Sequence, residues 1–130
     1  MLCPCCSGNV YDLCCKPFHD GKKNPETPLE LMRSRYSAYA TGQVLYIQKT
    51  THPKNKQFDA NQVRWQQILE EFCRTTKFLK LEVLATGKNW VFFQAHLEQK
   101  GKPYVLQEKS HFEKINSEWL YLSGEITIVA

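Results

Sequence analysis

Five of the chain's six cysteines fall within its first fifteen residues: Cys3, Cys5, Cys6, Cys14 and Cys15, with only Cys73 elsewhere. Residues 1–24 are otherwise rich in Gly and poor in large apolar groups, so hydrophobic burial alone cannot order them. Cys3-Pro4-Cys5, eight residues, then Cys14-Cys15 places four soft ligands on a loop short enough to close around one ion. Four thiolates in a tetrahedron suit zinc and leave no open coordination position, which predicts one structural Zn2+ per chain. Binding on the order of 10 kcal/mol would make metal uptake and folding of this piece one event. Disulfides among near neighbours would be strained, Cys3 and Cys6 have redox-pair spacing without the strand-to-helix context, and iron-sulfur ligation is the remaining option. His19 lies close enough to substitute as a ligand, but four cysteines already complete the shell.

The remaining stretch, 25–130, is long enough to bury one core. The chain has 130 residues, of which 42% are apolar and 23% charged, in the range of ordinary globular domains. A net charge of +4 is too small to mark a dedicated nucleic-acid binder, and the basic run Lys49, His52, Lys54, Lys56 reads as a solvated face. No run of about eighteen apolar residues exists, so no membrane helix is expected. The N-terminus has neither a basic n-region nor an apolar h-region, so a cytoplasmic chain with reduced thiols is expected.

Thr27-Pro28-Leu29-Glu30 predicts a helix start, with Thr27 as cap, Pro28 in the first position and Glu30 completing a capping box. Leu29, Met32, Tyr36 and Tyr39 form its apolar stripe, and Gly42 ends it. Val44 to Thr50 predicts a short second helix. The third is predicted with Asp59 as cap and Phe58 stapled to Val63, ahead of Trp65, Ile68, Leu69 and Phe72. After Thr76 the period changes to two: strands are predicted over 77–86, with Leu79, Leu81, Val83 and Ala85 on one face, and over 90–99, 104–114 and 118–128. Helices followed by an antiparallel meander make an α+β domain, the helices covering one face of the sheet. Cys73 reads as a small buried hydrophobe.

The run Cys3-Pro4-Cys5-Cys6-Ser7-Gly8-Asn9-Val10-Tyr11-Asp12-Leu13-Cys14-Cys15 resembles the SEC-C motif, the zinc knuckle of the SecA translocase and of many bacterial proteins. By that motif the ligands are Cys3, Cys5, Cys14 and Cys15. Cys6 departs from it, standing where the motif usually has Gly, and adds a fifth thiol. With Leu31-Met32-Arg33-Ser34-Arg35-Tyr36-Ser37-Ala38-Tyr39, Thr51-His52-Pro53, then Glu108, Ser110, Phe112, Trp119, Tyr121 and Gly124, the whole chain resembles the YchJ-like family. The resemblance implies a SEC-C knuckle over 1–24 joined to a cone-shaped nuclear transport factor two-like domain over 25–130, a curved sheet wrapped around N-terminal helices. It implies no assigned function.

Alternation carries Glu108 and Ser110 on the strand face that also holds Tyr104, Leu106 and Phe112. A carboxylate turned inward needs a partner, and the expected source is Arg33 or Arg35 on the first helix. If that pair does not form, the cone is expected to hold a ligand pocket with Arg33, Arg35, Tyr36, His52, Glu108, Ser110, Trp119 and Tyr121 as candidates. The expected function is a zinc-binding, non-catalytic interaction protein, its knuckle contacting a protein partner and its cone holding a peptide or small ligand. The SecA likeness suggests a secretion chaperone or the ribosome as that partner. An isomerase or hydro-lyase using the cavity, and weak nucleic-acid binding, are the alternatives; a homodimer through the outer sheet face stays open.

Overall fold

The computed structural model describes residues 1–129. The cysteine-rich piece forms one 3-10 turn, Tyr11–Leu13, and a short helix α1, Lys16–His19. Helices α2 (Pro28–Thr41), α3 (Val44–Lys49) and α4 (Gln62–Thr75) follow, then strands β1 (Thr76–Thr86), β2 (Trp90–Gln99), β3 (Lys102–Ile115) and β4 (Glu118–Ile128). The strands form one antiparallel meander in the order β1-β2-β3-β4, with the helices on its inner face, as the change of period from helical to alternating requires.

Thr27 caps α2 by accepting the Glu30 N–H at 3.1 Å. Glu30 reaches back one residue further than a capping box needs, accepting the Glu26 N–H at 2.8 Å. Gly42 leaves the helix at φ 74°, a left-handed cap that costs glycine no steric penalty. The expected cap of α4 is corrected: Asn61, not Asp59, accepts the Arg64 N–H at 3.1 Å, while Asp59 accepts from Asn61 N and grips the Arg64 guanidinium with both oxygens. The expected staple fails too, because Val63 is exposed and Phe58 turns onto Trp65, ring centroids 5.2 Å apart.

Register shifts at Leu79 and Leu84 displace the expected face of β1. Leu79 is thereby turned outward and exposed, while Phe78, opposite Leu97, joins Leu81 and Val83 against the core. The strands β2 and β3 alternate as their sequences demand: Val91, Phe93, Ala95 and Leu97 face inward, as do Glu108, Ser110 and Phe112. The apolar ones among them pack on Leu31, Met32 and Tyr36 of α2. A second cluster joins Ala38 to Val44, Tyr46 and Ile47 of α3 and Trp65 and Leu69 of α4; Phe18 of α1 belongs to it.

Candidate functional site

Two sites are built on opposite sides of α2. The first is the cysteine cluster. The Cys3 N–H donates to Asn9 O at 2.8 Å, and the Leu2–Val10 bridge brings both ends of the loop together. Cys6 takes the left-handed conformation at φ 64°, the turn for which the motif's usual glycine is suited. Cys3, Cys5 and Cys15 are buried, Cys14 is partly so, and the four sulfurs lie within 4.8 Å of one another.

Sulfurs placed tetrahedrally about 2.3 Å from one ion would be about 3.8 Å apart. Cys5 and Cys14 stand at 3.6 Å and Cys14 and Cys15 at 3.9 Å, so the donor set fits a single metal ion. The thiols also interact strongly with one another. Bonding from Cys15 holds the Cys5 thiol down at about 4. The same bond, with burial, pushes Cys15 far above the ordinary thiol range. Four thiolates at these distances need a cation.

The cluster is also wired to α2. Ser7 Oγ lies 3.2 Å from Cys14 Sγ and Ser37 Oγ 3.5 Å from Cys3 Sγ, hydroxyls placed to donate to thiolates. Arg33 Nη1 donates to Cys5 O at 2.6 Å. His19 is not turned to the sulfurs: it bonds Ser34 O at 2.8 Å and the Tyr11 hydroxyl at 2.7 Å. A carbonyl only accepts, so Nε2 carries the proton and Tyr11 donates to Nδ1. Cys6 Sγ accepts the Leu81 N–H at 3.4 Å. Sequence reasoning found the four sulfurs but assigned Arg33 to Glu108 and the pocket rather than to Cys5, and missed Ser37 and Phe18, whose sequence neighbours give no sign that the knuckle docks here.

The second site is a cavity of about 510 Å³ between α2, α4 and the inner face of the sheet. Met32, Tyr36, Tyr39, Trp65, Ile68, Leu69, Phe72, Phe78, Phe93 and Leu97 line it. Among the pocket candidates, Arg35, Tyr36, Glu108, Ser110 and Tyr121 also reach it, whereas Arg33, His52 and Trp119 do not. Arg33 is engaged by the knuckle. His52 accepts the Lys54 N–H at Nδ1 and meets Glu113 through Nε2 at 3.0 Å. The Trp119 indole donates to Glu26 O at 3.2 Å.

The expected pairing of Glu108 with an arginine does not form: among the described residues neither Arg33 nor Arg35 is within salt-bridge distance of it. Arg35 is drawn to the end of α3, where its Nη1 donates to Ile47 O, Thr50 Oγ1 and Thr51 Oγ1 at 3.0, 2.7 and 3.1 Å. Its guanidinium stands 4.8 Å from the centroid of the Tyr121 ring. The Tyr121 hydroxyl donates to Glu108 Oε2 at 2.8 Å, and Ser110 donates to the same oxygen. Burial, reinforced by the Glu108 charge, pushes the Tyr121 phenol far above its ordinary range. The Tyr36 hydroxyl is buried with no hydrogen-bond partner among the described residues.

Tyr121 and Gly124 are three residues apart and would face opposite ways on a regular strand. A bulge at Leu122 puts both inward: Phe112 pairs with Tyr121, and Ser110 with Gly124. The bulge is tied down by the loop after α3, since His52 N donates to Tyr121 O, Tyr121 N to Thr50 O and Asn55 Nδ2 to Leu122 O, each at 2.9 Å. Gly124 is required by the cluster itself. A Cβ there would stand 2.6 Å from the Tyr121 hydroxyl and closer still to Glu108 Oε2. A glycine inside a strand pattern is a sequence signal for such an approach.

The family model described as "YchJ, middle NTF2-like domain" matches residues 27–124. A UPF0225 protein of Vibrio vulnificus is 37% identical over 123 residues, covering 94% of this chain and 73% of its own. One of Deinococcus radiodurans is 34% identical over 125 residues, covering 94% and 87%. The solution structure of a SEC-C motif containing protein from Rhodopseudomonas palustris superposes with a TM-score of 0.81 at 33% identity, covering 96% of this chain and 98% of that one. The crystal structure of a SEC-C motif containing protein from Psychrobacter arcticus gives 0.73 at 25% identity, covering 98% and 84%. With its cysteine cluster and its helices packed on a four-stranded sheet, the chain belongs to the YchJ-like, UPF0225 family.

Proposed function

We propose that this chain is a non-catalytic binding protein, its N-terminal segment stapled by one structural zinc ion and its cone cavity serving as a site for a small ligand. The observation that carries the reading is the contrast between the two sites. The four cysteines, their sulfurs within 4.8 Å of one another, would fill a tetrahedral shell around one ion and leave no position for a substrate. The cavity of about 510 Å³, by contrast, is of ligand size and mainly apolar with a few polar groups. The knuckle's outward side, where Met1, Leu2 and Leu13 are exposed, is proposed as its contact with a protein partner. Elemental analysis of protein purified under reducing conditions tests the metal: one equivalent of zinc per chain is expected, and a value well below one overturns it. For the cavity, native mass spectrometry of protein taken from its own cells is expected to retain a small ligand.

A second reading, a proton-transfer enzyme of isomerase or hydro-lyase type, is favoured by one observation: Glu108 has no guanidinium partner in an apolar cavity. The groups beside it are hydroxyls already donating to it, and a second acid or base opposite it is needed for that chemistry. Turnover of a carbonyl substrate that disappears in Glu108→Gln, with the fold intact, would establish this reading over the first.

A further inference from the structure

We propose that the cavity takes a neutral, ring-sized apolar molecule whose polar group is a hydrogen-bond donor, received by Glu108 Oε1. The proposal rests on the cavity being a ligand site and specifies the chemistry of what enters it.

Glu108 is only 8% exposed, and both of its hydrogen bonds, from Ser110 and Tyr121, end on Oε2. Its other oxygen has no partner among the described residues and is not among the polar atoms sealed from space. Glu108 lines the cavity, so Oε1 meets its open space. A carboxylate oxygen accepts and cannot donate. Buried opposite Phe93 and on the same strand face as Phe112, it is satisfied by a ligand only if that ligand brings an N–H or O–H.

Charge selects further. Arg35, 7% exposed, lines the same cavity and stacks on the ring whose hydroxyl bonds Glu108. One positive and one negative group thus share the site through Tyr121. Asp59, also in the lining, is already matched by Arg64 at 2.7 Å. A neutral ligand preserves this balance, whereas an ammonium or a carboxylate adds an uncompensated charge against mainly apolar walls. The walls provided by Trp65, Phe72, Phe78 and Phe93 favour a flat ring, which they meet edge or face on.

The test is a matched set of probes titrated into the zinc-loaded full chain: indole, 1-methylindole, tryptamine and indole-3-acetate, followed by amide shifts of cavity residues. Indole, neutral with one N–H, is expected to bind about tenfold tighter than 1-methylindole, as a hydrogen bond to a charged acceptor implies. Both charged probes are expected to bind more weakly than indole. In Glu108→Gln the advantage of indole over 1-methylindole is expected to shrink to about twofold or less, with 1-methylindole itself little affected. Should that variant fail to fold, the comparison of the two neutral probes on the natural chain decides alone. Equal binding of indole and 1-methylindole overturns the donor requirement while leaving the cavity a ligand site. Tightest binding by tryptamine or indole-3-acetate overturns neutrality. Absence of cavity shifts with every probe at millimolar concentration overturns both the proposal and the reading it rests on.

Discussion

In the N-terminal segment the buried groups are Cys3, Cys5, Cys15 and Phe18; in the domain after it they include Leu31, Ile47, Val91, Ala95 and Leu97. The first set contains three sulfurs that face one another and one ring that belongs to the other region's cluster. The second divides between an apolar cluster joining α2 to the sheet and another, with Ile47, joining α2, α3 and α4. Area burial is thus the main force in the cone and a minor one in the knuckle, where coordination is proposed to take its place. The two regions also differ in what they leave open. The small knuckle draws its four cysteines together, while the cone keeps a cavity of about 510 Å³ that opens past the exposed side chains of Ile68 and Ile126.

The comparison breaks most visibly if the metal is removed. Chelation, or Cys14→Ser, is expected to take about 10 kcal/mol from the knuckle and almost nothing from the sheet. Hydrogen exchange checks this: protection over residues 1–20 should vanish while the amides of Val91 to Leu97 on β2 remain slow. Simultaneous loss of both would show that the regions fold as one unit. The mirror experiment is Leu31→Ala. Leu31 is fully buried at the centre of the cone core, so its truncation is expected to cost about 2–5 kcal/mol in urea unfolding. Metal stoichiometry should be unchanged at low denaturant.

Gly124→Ala probes the cavity wall alone. The added methyl meets Glu108 and Tyr121, and overpacking of this kind costs about 1–3 kcal/mol. The expected signature is a lost preference for indole over 1-methylindole with zinc retained. The link between the regions is sharpened by Ser37→Ala and Arg33→Ala. These residues touch Cys3 Sγ and Cys5 O from α2, and loss of such outer contacts is expected to weaken metal affinity about 10- to 100-fold. Competition with a chromophoric chelator reads it; an unchanged affinity would make the docking of knuckle on cone independent of the ion.

The same contrast decides how much the sequence revealed. Metal ligation is local, so Cys3, Cys5, Cys14 and Cys15 could be read from spacing. Alternation is local too, and it placed Glu108, Ser110 and Phe112 on one face. Missed features depend on partners far along the chain. Arg35 and Glu108 are both buried, and pairing them was the economical expectation. Instead Arg35 finds three oxygens at the end of α3, and two hydroxyls meet Glu108. A bulge shifts every later residue to the other face, which is why Leu79 and Phe78 exchange roles and why Tyr121 and Gly124 come together. No pattern in residues 1–24 announces that Phe18 will be buried under α3 and α4.

The smallest expected effect lies at the seam between the regions. His19 packs against Tyr46, ring centroids 4.9 Å apart and planes tilted by 59°, and donates to Ser34 O. Burial lowers its proton affinity below the ordinary value of 6.5, outweighing the opposing bond to Ser34. The folded state therefore holds the ring neutral more firmly than the unfolded chain does. Its contribution is complete above about pH 6.5 and is lost as the pH falls through the depressed folded value. Protonation puts a hydrogen on Nδ1, so the bond to the Tyr11 hydroxyl must reverse, the phenol oxygen accepting where it now donates, while the ring beside α2 gains a buried charge. Acid also competes for the thiolates, and the two effects are separated by comparing the natural chain with His19→Gln. Between pH 7 and 5, stability of the natural chain should fall more steeply than that of the variant, because only the former gains the imidazolium. Parallel slopes would place the whole acid sensitivity in the cysteine cluster and none of it at the seam.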